Sequence, residues 1–189
     1  GITFTRETDA LAARFASLRP GYGRPVDESD LAKYFAETAR ELAGMPTVAD
    51  VLDVLVRVSM EVIECDHVSI SHRRGRALLS AASDDDVGPL LDAIQTDRQE
   101  GPCLDAIRAG RAMVSADLAH DERWPEYGPR AREVAGVNSS YAVELRNSDG
   151  RVLGALNLFA TESGYFHGDE QQEARIAILA AHASAALQA

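Results

Sequence analysis

The strongest structural signal in the sequence lies in residues 139–160, which read SSYAVELRNSDGRVLGALNLFA. From Ser140 to Leu145, apolar residues alternate with small or polar residues, as they do in a strand with one buried face. The turn-forming run NSDG follows at 147–150, and residues 152–160 are apolar on both faces. We therefore predict a β-hairpin whose second strand lies in the centre of a sheet.

Similar patterns elsewhere predict the remaining elements. Alternation of apolar and polar residues predicts strands at 67–73, 76–82 and 112–116. Apolar residues at helical spacing, together with Pro, Gly and Thr47 as boundary signals, predict helices at 30–43, 48–62, 102–110, 125–134 and from Asp169 onward. Between 84 and 135 we expect short helices and loops that wall a pocket. The fold class is therefore α+β, with a mainly antiparallel central sheet and helices on both faces.

Composition limits the possible partners. The 189 residues carry a formal net charge of -11, and the densest basic run, HRRGR at 72–76, is short. Such a surface repels phosphate groups, so we expect no direct nucleic-acid binding by this domain. No apolar run approaches the roughly 18 residues of a membrane helix, so we expect no membrane contact. Two cysteines, Cys65 and Cys103, exclude a disulfide scaffold and fit a reducing, cytoplasmic location.

The pattern also predicts how the chain is organised. Residues 1–27 form a poorly patterned N-terminal leader, with a breaker cluster at 20–25. Residues 28–189 form one domain. The Ala-rich helical pattern runs to Ala189 without a Gly or Pro stop signal, so we expect that helix to continue into a further output domain.

Four segments together resemble a GAF domain, a sensory module related to PAS domains. They are QEGPCLDA at 99–106, ADL at 116–118 with DERWP at 121–125, GALNLF at 154–159, and Phe166 with Asp169. The resemblance covers about residues 30–189. The EGPC segment is similar to the sensory halves of actinobacterial GAF-ANTAR regulators. That likeness implies signal transduction and transcription regulation through an RNA-binding ANTAR domain that controls antitermination.

The candidate ligand-binding or sensing residues come from the pocket wall that this resemblance implies: Cys103, Glu100, Trp124, Tyr127, Tyr141 and Asn157. Cys103 follows Gly101-Pro102 at a predicted helix start, where free amide donors and the helix dipole can lower a thiol pKa. A reactive, redox- or ligand-sensitive thiol is one hypothesis. The other hypothesis is a small buried side chain that packs the helix against the sheet. We favour this packing role, because free cysteine is among the most buried residue types.

Other chemistry has weaker signals. Asp117, His120 and Asp121 could approach one metal ion, but loop capping and an Asp-Arg pair explain them better, so we predict no metal site. Asn157, Phe166 and the acidic pair at 169–170 resemble the pattern of cyclic-nucleotide-binding GAF domains. Leu158 stands where those domains carry Lys, and the sequence indicates no particular cofactor.

We thus expect a regulatory GAF domain that senses a small molecule or redox state, and no enzyme. Two alternatives stay open: a cysteine-dependent free methionine sulfoxide reductase, and a ligand-free dimerisation module. Ile178, Ala181 and Ala185 add a second apolar face to the last helix. This face predicts packing against the helix at 30–43 or a parallel homodimer through the terminal helices.

Overall fold

The computed structural model describes residues 28–188, so the predicted leader at 1–27 lies outside the described residues. The helices are α1 (Glu28–Ala43), α2 (Val48–Ile63), α3 (Val87–Arg98), α4 (Pro102–Ala109), α5 (Tyr127–Ala135) and α6 (Glu170–Gln188). The strands are β1 (His67–Arg74), β2 (Ala77–Ser83), β3 (Met113–Ser115), β4 (Ser139–Arg146) and β5 (Val152–Ala160). A short 3-10 helix spans Leu118–His120.

The five strands form one sheet in the order β2-β1-β5-β4-β3, and every neighbouring pair is antiparallel. The prediction of an antiparallel α+β fold is confirmed. The hairpin β4–β5 is present, and β5 lies in the middle of the sheet. Its central position explains why both faces of β5 are apolar, since each face is covered by other elements.

The sheet has two differently covered faces. On one face, Leu156 and Leu158 of β5 lie beside Val68 and Ile70 of β1, and α2 and α6 cover them. We call this the α2/α6 face. On the other face, Asn157 lies beside Ser69 and Ser71, under α3 and α4, with α5 packed against α3. We call this the α3/α4 face.

Helix α2 begins as the sequence predicts. The Oγ1 of Thr47 accepts a hydrogen bond from the backbone N–H of Asp50 at 3.1 Å. This side chain satisfies one of the free amide groups at the helix start. The helix ends at Ile63, and its apolar side packs against α6 and the sheet.

Helix α3 is the element that the sequence pattern did not resolve. It spans twelve residues within the segment expected to hold only short helices and loops. Its buried side contains Asp92 and Gln95 beside Leu91 and Gly88. Because two of the inward residues are polar, the helix lacks the apolar stripe by which such elements are recognised.

The glycine at 128 allows a close contact between α5 and the 3-10 helix. A Cβ at this position would lie 1.7 Å from the carbonyl oxygen of Leu118. That oxygen belongs to the backbone, so any side chain here must push the two elements apart. Tyr127 is adjacent, and this contact therefore also sets where the Tyr127 side chain lies.

We predict that Gly128→Ala lowers the free energy of unfolding by about 2 kcal/mol or more, because the added methyl group overpacks a backbone contact. Gly44→Ala is the matched control, since its Cβ would meet Glu41 O at 3.5 Å, an ordinary contact. The control is expected to stay within about 0.5 kcal/mol of the wild type. Urea unfolding followed by circular dichroism measures both, and equal stability of the two variants would contradict the prediction.

Candidate functional site

Buried polar side chains gather on the α3/α4 face. We call them the polar cluster, and none of them is more than 2 % exposed: Ser69, Ser71, Asp92, Gln95, Cys103, Tyr127 and Asn157. They come from β1, β5 and the first turns or inner sides of α3, α4 and α5. A core of this size normally holds apolar residues, so such a concentration of buried polar groups indicates a site rather than packing alone.

A chain of hydrogen bonds crosses the cluster. The Nδ2 of Asn157 donates to Ser71 Oγ at 2.9 Å and to Ser69 Oγ at 3.2 Å. Ser71 Oγ donates in turn to Asp92 Oδ2 at 2.6 Å. A serine hydroxyl has one hydrogen, and here it goes to the carboxylate, so Ser71 can only accept from Asn157. The Oδ1 of Asn157 therefore remains free for another donor.

Four atoms of the cluster have hydrogen-bonding capacity that no group in residues 28–188 uses: Asp92 Oδ1, Gln95 Nε2, Tyr127 OH and Asn157 Oδ1. Ser140 Oγ, on the same face of β4, is a fifth. A buried polar group without a partner costs about 1–3 kcal/mol. A small molecule with both donors and acceptors could satisfy these groups at once.

Asp92 is the acidic residue of the cluster, and its carboxyl group is buried. Burial raises the pKa of its carboxyl group from 3.8 to about 6, while the hydrogen bond from Ser71 lowers it in part. Within the described chain, no ion pair joins Asp92 to Lys, Arg or His. Among the described residues, the ionised form of Asp92 is therefore stabilised by one hydrogen bond, from the Ser71 hydroxyl group, in a region shielded from water.

The EGPC segment builds the start of α4 against α3. Gln95 Oε1 accepts from the backbone N–H groups of Cys103 at 2.9 Å and Leu104 at 3.3 Å. The Gln95 amide oxygen therefore caps the start of α4. The N-cap residue, Gly101, has no side chain that could accept these hydrogen bonds. Gly101 has φ of 142°, and a Cβ there would lie 2.3 Å from Gln95 Oε1. Glycine is thus required both by its backbone angle and by the close approach of Gln95.

The hypothesis of a lowered Cys103 pKa is contradicted, and the favoured alternative of a small buried side chain agrees with the 1% exposure of Cys103. Burial, and then the negative charge of Asp92, hold the pKa of this thiol well above its ordinary value. The helix-dipole effect is outweighed because the side chain is fully desolvated. Cys65 belongs to the core of the α2/α6 face, and burial raises its pKa to about 12. The two thiols therefore lie on opposite sides of the sheet.

Glu100 and Trp124 lie close to the cluster but have structural contacts. Glu100 Oε1 accepts from the N–H groups of Glu126 and Tyr127, both at 2.8 Å, and so caps α5. Trp124 is buried, and its Nε1 donates to Asp105 Oδ2 at 2.8 Å. These bonds place α5, and with it the hydroxyl group of Tyr127, over the cluster.

Tyr141 lies apart from the other sequence-predicted residues. It pairs with Leu158 in the sheet and packs on Phe166, with ring centroids 6.1 Å apart, on the α2/α6 face. Cys103, Tyr127 and Asn157 are thus the predicted residues that the structure brings together. Sequence reasoning missed Asp92, Gln95, Ser69 and Ser71, although two inward polar residues three apart in α3 were a detectable signal.

The loop at 117–124 is explained by its own pairs. Arg123 donates to both carboxylate oxygens of Asp121, from Nε at 2.9 Å and Nη2 at 2.6 Å. His120 contacts Asp117 at 2.8 Å. The Asp-Arg pair expected from the sequence is confirmed, and it holds the pKa of Asp121 below its ordinary value.

A GAF domain model matches residues 26–188. The chain belongs to the GAF domain family. A comparison with curated protein sequences finds no match.

Solved structures show the same fold at low sequence identity. The GAF domain of a Coxiella burnetii phosphoenolpyruvate-protein phosphotransferase is 18% identical with a TM-score of 0.62, over 85% of this chain and 94% of that chain. Free methionine-R-sulfoxide reductase from Neisseria meningitidis, in complex with its substrate, is 18% identical with a TM-score of 0.59, over 88% and 95%. The Aquifex aeolicus nlh2 GAF domain in an inactive state is 14% identical with a TM-score of 0.57, over 96% of both chains.

None of the described helices has the length and apolar character that crossing a membrane requires.

We predict that Asp92→Asn stabilises the protein at neutral pH. The folded-state pKa lies above the usual value of 3.8, so the folded state loses stability as the pH rises from about 4 through 6. A shift of about two units corresponds to at most about 3 kcal/mol. The variant should be more stable than the wild type by up to this amount at pH 7, and equal to it at pH 4.

The measurement is urea unfolding at pH 4, 5, 6 and 7. Asp149→Asn, at an exposed turn position, is the control and should leave the difference from wild type constant across this range. A variant at Asp92 that is destabilised at every pH would show that the carboxylate has a favourable partner and would contradict the prediction.

Proposed function

We propose that this chain is the sensory GAF domain of a regulator and that it binds a small polar molecule at the polar cluster. The observation that supports this is the set of unpaired atoms on Asp92, Gln95, Tyr127 and Asn157. They are buried on the α3/α4 face and come from two helices, α3 and α5, and from the central strand β5. A ligand-free packing module would leave these groups unsatisfied at a cost in stability, so the dimerisation-only alternative accounts for them poorly.

Two hydrogen bonds suggest how binding reaches α6. The backbone N–H of Arg146, at the end of β4, donates to Ser184 Oγ at 3.1 Å. The N–H of Ser148, in the hairpin turn, donates to Gln188 Oε1 at 3.3 Å. A ligand held by Asn157 on β5 would bias this hairpin and hence the end of α6. It signals only if it binds two arrangements of α6 with different affinity.

We further propose that the output is an RNA-binding ANTAR domain in a cytoplasmic regulator of transcription antitermination. Support comes from the similarity of the EGPC segment to GAF-ANTAR regulators. The net charge of -11 agrees with RNA contact by another domain. Helix α6 reaches Gln188 as a continuous helix, which suits rigid transmission of a signal along its axis.

The enzymatic alternative is less well supported. The Neisseria reductase shares the fold, but at 18% identity it supports only that. A thiol nucleophile must ionise, and Cys103 is fully buried with a raised pKa. Cys65 lies in the core on the opposite face of the sheet, so it does not reach Cys103 as a disulfide partner. The redox-sensing version of the proposal is weakened for the same reasons.

The binding proposal predicts a thermal shift with at least one member of a defined panel. The panel contains free amino acids, methionine sulfoxide, amino alcohols, amides, nucleosides, cyclic nucleotides and dicarboxylates. A ligand at a hundredfold excess over its Kd should raise the Tm by about 5–10 °C. Turnover of methionine sulfoxide with added thiol, lost in Cys103→Ser, would favour the enzyme instead.

A matched pair of variants locates the site. Tyr127→Phe removes only the unpaired hydroxyl group at the cluster and should fold normally while weakening the shift. Tyr141→Phe removes a hydroxyl group on the α2/α6 face and should leave the shift unchanged. The proposal fails if no compound binds, or if Tyr141→Phe weakens binding and Tyr127→Phe does not.

We also propose a homodimer through the terminal helices. Ile178, expected on a free second face of α6, is instead buried within the chain, because α2 and α1 already pack against α6. The exposed side of α6 includes a row of small side chains at Ala177, Ala181 and Ala185. Small residues allow a second α6 to approach closely in a parallel pair.

This proposal predicts a dimer mass by light scattering at high micromolar concentration. Ala181→Glu should shift the mass toward the monomer, since two buried like charges would face each other. Ala109→Glu, at an exposed position at the end of α4, is the control and should stay dimeric. A monomeric wild type at these concentrations would overturn the dimer.

A further inference from the structure

The charge of Asp92 is the least compensated feature of the polar cluster. Its Oδ2 accepts one hydrogen bond from Ser71, and its Oδ1 has none in the described part of the chain. An ionised carboxylate in a dry region requires a cation or several donors to be stable. Among the described residues, the unpaired donors of the polar cluster are Gln95 Nε2 and the Tyr127 hydroxyl group, and both are neutral.

Two unpaired acceptor atoms belong to side chains that share one hydrogen-bond partner, Ser71. Asp92 and Asn157 are both bonded to Ser71 Oγ through one terminal atom each, at 2.6 Å and 2.9 Å. Their other terminal atoms, both oxygens, are buried and have no hydrogen-bond partner among the described residues. Burial, and then the negative charge of Asp92, raise the pKa of the Tyr127 hydroxyl group.

We propose that the polar cluster takes the protonated nitrogen of a small organic cation, with Asp92 Oδ1 and Asn157 Oδ1 as its acceptors. This inference rests on the proposed function and names the ligand class. A charge-assisted hydrogen bond from a cation is stronger than a neutral one and removes the net charge from the dry region. A neutral ligand would leave that charge in place.

The unpaired donors and acceptors of the polar cluster argue against an anion or a divalent metal ion as the ligand. An anion would meet the negative charge of Asp92, and the free donors here, Gln95 Nε2 and the hydroxyl groups of Tyr127 and Ser140, are all neutral. A Ca²⁺ or Mg²⁺ ion needs about six oxygen ligands, and this cluster offers too few free ones. The polar cluster lies away from solvent, so the ligand must be small enough to be enclosed.

Gln95 adds a further requirement. Its Oε1 is fixed by the N–H groups of Cys103 and Leu104, so its Nε2 has a fixed direction and lacks an acceptor. The ligand should therefore carry a neutral acceptor oxygen, such as a hydroxyl or carbonyl group, near the cationic nitrogen. An amino alcohol or an amino amide has this pattern, and a carboxylate would be repelled by Asp92.

The test compares cations with neutral and anionic molecules of the same size. Ethanolamine and glycinamide are titrated calorimetrically at pH 7.5 beside ethylene glycol, glycolamide and acetate. We expect the two cations to bind about tenfold or more tightly than their neutral counterparts. Asp92→Asn should lose at least this factor for the cations, and Asp149→Asn should lose none.

Proton release gives a readout that a purely structural role of Asp92 would not produce. A bound cation stabilises the ionised carboxylate, so binding at pH 6 should release a fraction of a proton, seen by repeating the calorimetry in buffers of different ionisation enthalpy. The titratable groups that face Asp92 are Cys103 of α4 and Tyr127 of α5, and both stay protonated at this pH. Asp92→Asn should abolish the release.

The outcomes separate this inference from the proposed function. Binding of neutral or anionic molecules with equal affinity, or cation binding unchanged in Asp92→Asn, overturns the inference while leaving a sensory site at the cluster. The cations could also fail to bind at millimolar concentrations while a ligand of another class binds in a Tyr127-dependent way. That result likewise overturns the inference and leaves a sensory site at the cluster. No Tyr127-dependent binding of any compound in either panel overturns both.

Discussion

The hydrogen bond between Ser71 Oγ and Asp92 Oδ2 ties the sheet to α3, and the rest of the site depends on it. Within residues 28–188, it is the only hydrogen bond to this buried carboxylate. Asn157 on the central strand supplies the second half of the link by donating to the same hydroxyl group. This arrangement fixes which atoms of Asp92 and Asn157 remain unpaired, and the proposed ligand is inferred from those atoms.

The fold could be read from the sequence because its signals are local. Alternation in β4, the NSDG turn and the doubly apolar β5 predict the hairpin without knowledge of any distant residue. The site could not be read in the same way. Ser69 and Ser71 alternate with Val68 and Ile70, a pattern typical of a strand with one exposed face, yet both serines are buried because α3 covers them. That cover comes from a helix with two polar residues, Asp92 and Gln95, on its buried side.

Cys103 shows why local arguments fail for electrostatics. Its position at a helix start predicts a lowered pKa, and the helix does start there. Two non-local facts reverse the effect: the side chain is fully buried, and Asp92, eleven positions earlier, lies close to it. Desolvation of a thiolate outweighs a helix terminus whose first amide groups are already bonded to Gln95. The EGPC segment is thus specific for a helix junction, while the chemistry of the site comes from α3 and β1.

An unliganded site of this kind is costly, and that cost has a function in a sensor. At neutral pH, which is above the pKa of Asp92, this buried carboxyl group is ionised and lowers the stability of the domain. The unpaired amide of Gln95 and hydroxyl group of Tyr127 add to this cost. A ligand that satisfies these groups gains the free energy that the empty domain lacks. If the empty state relaxes by shifting α3 or the hairpin, then binding restores one arrangement at the expense of the other. The same unpaired groups that define the ligand would then supply the difference in affinity that moves α6.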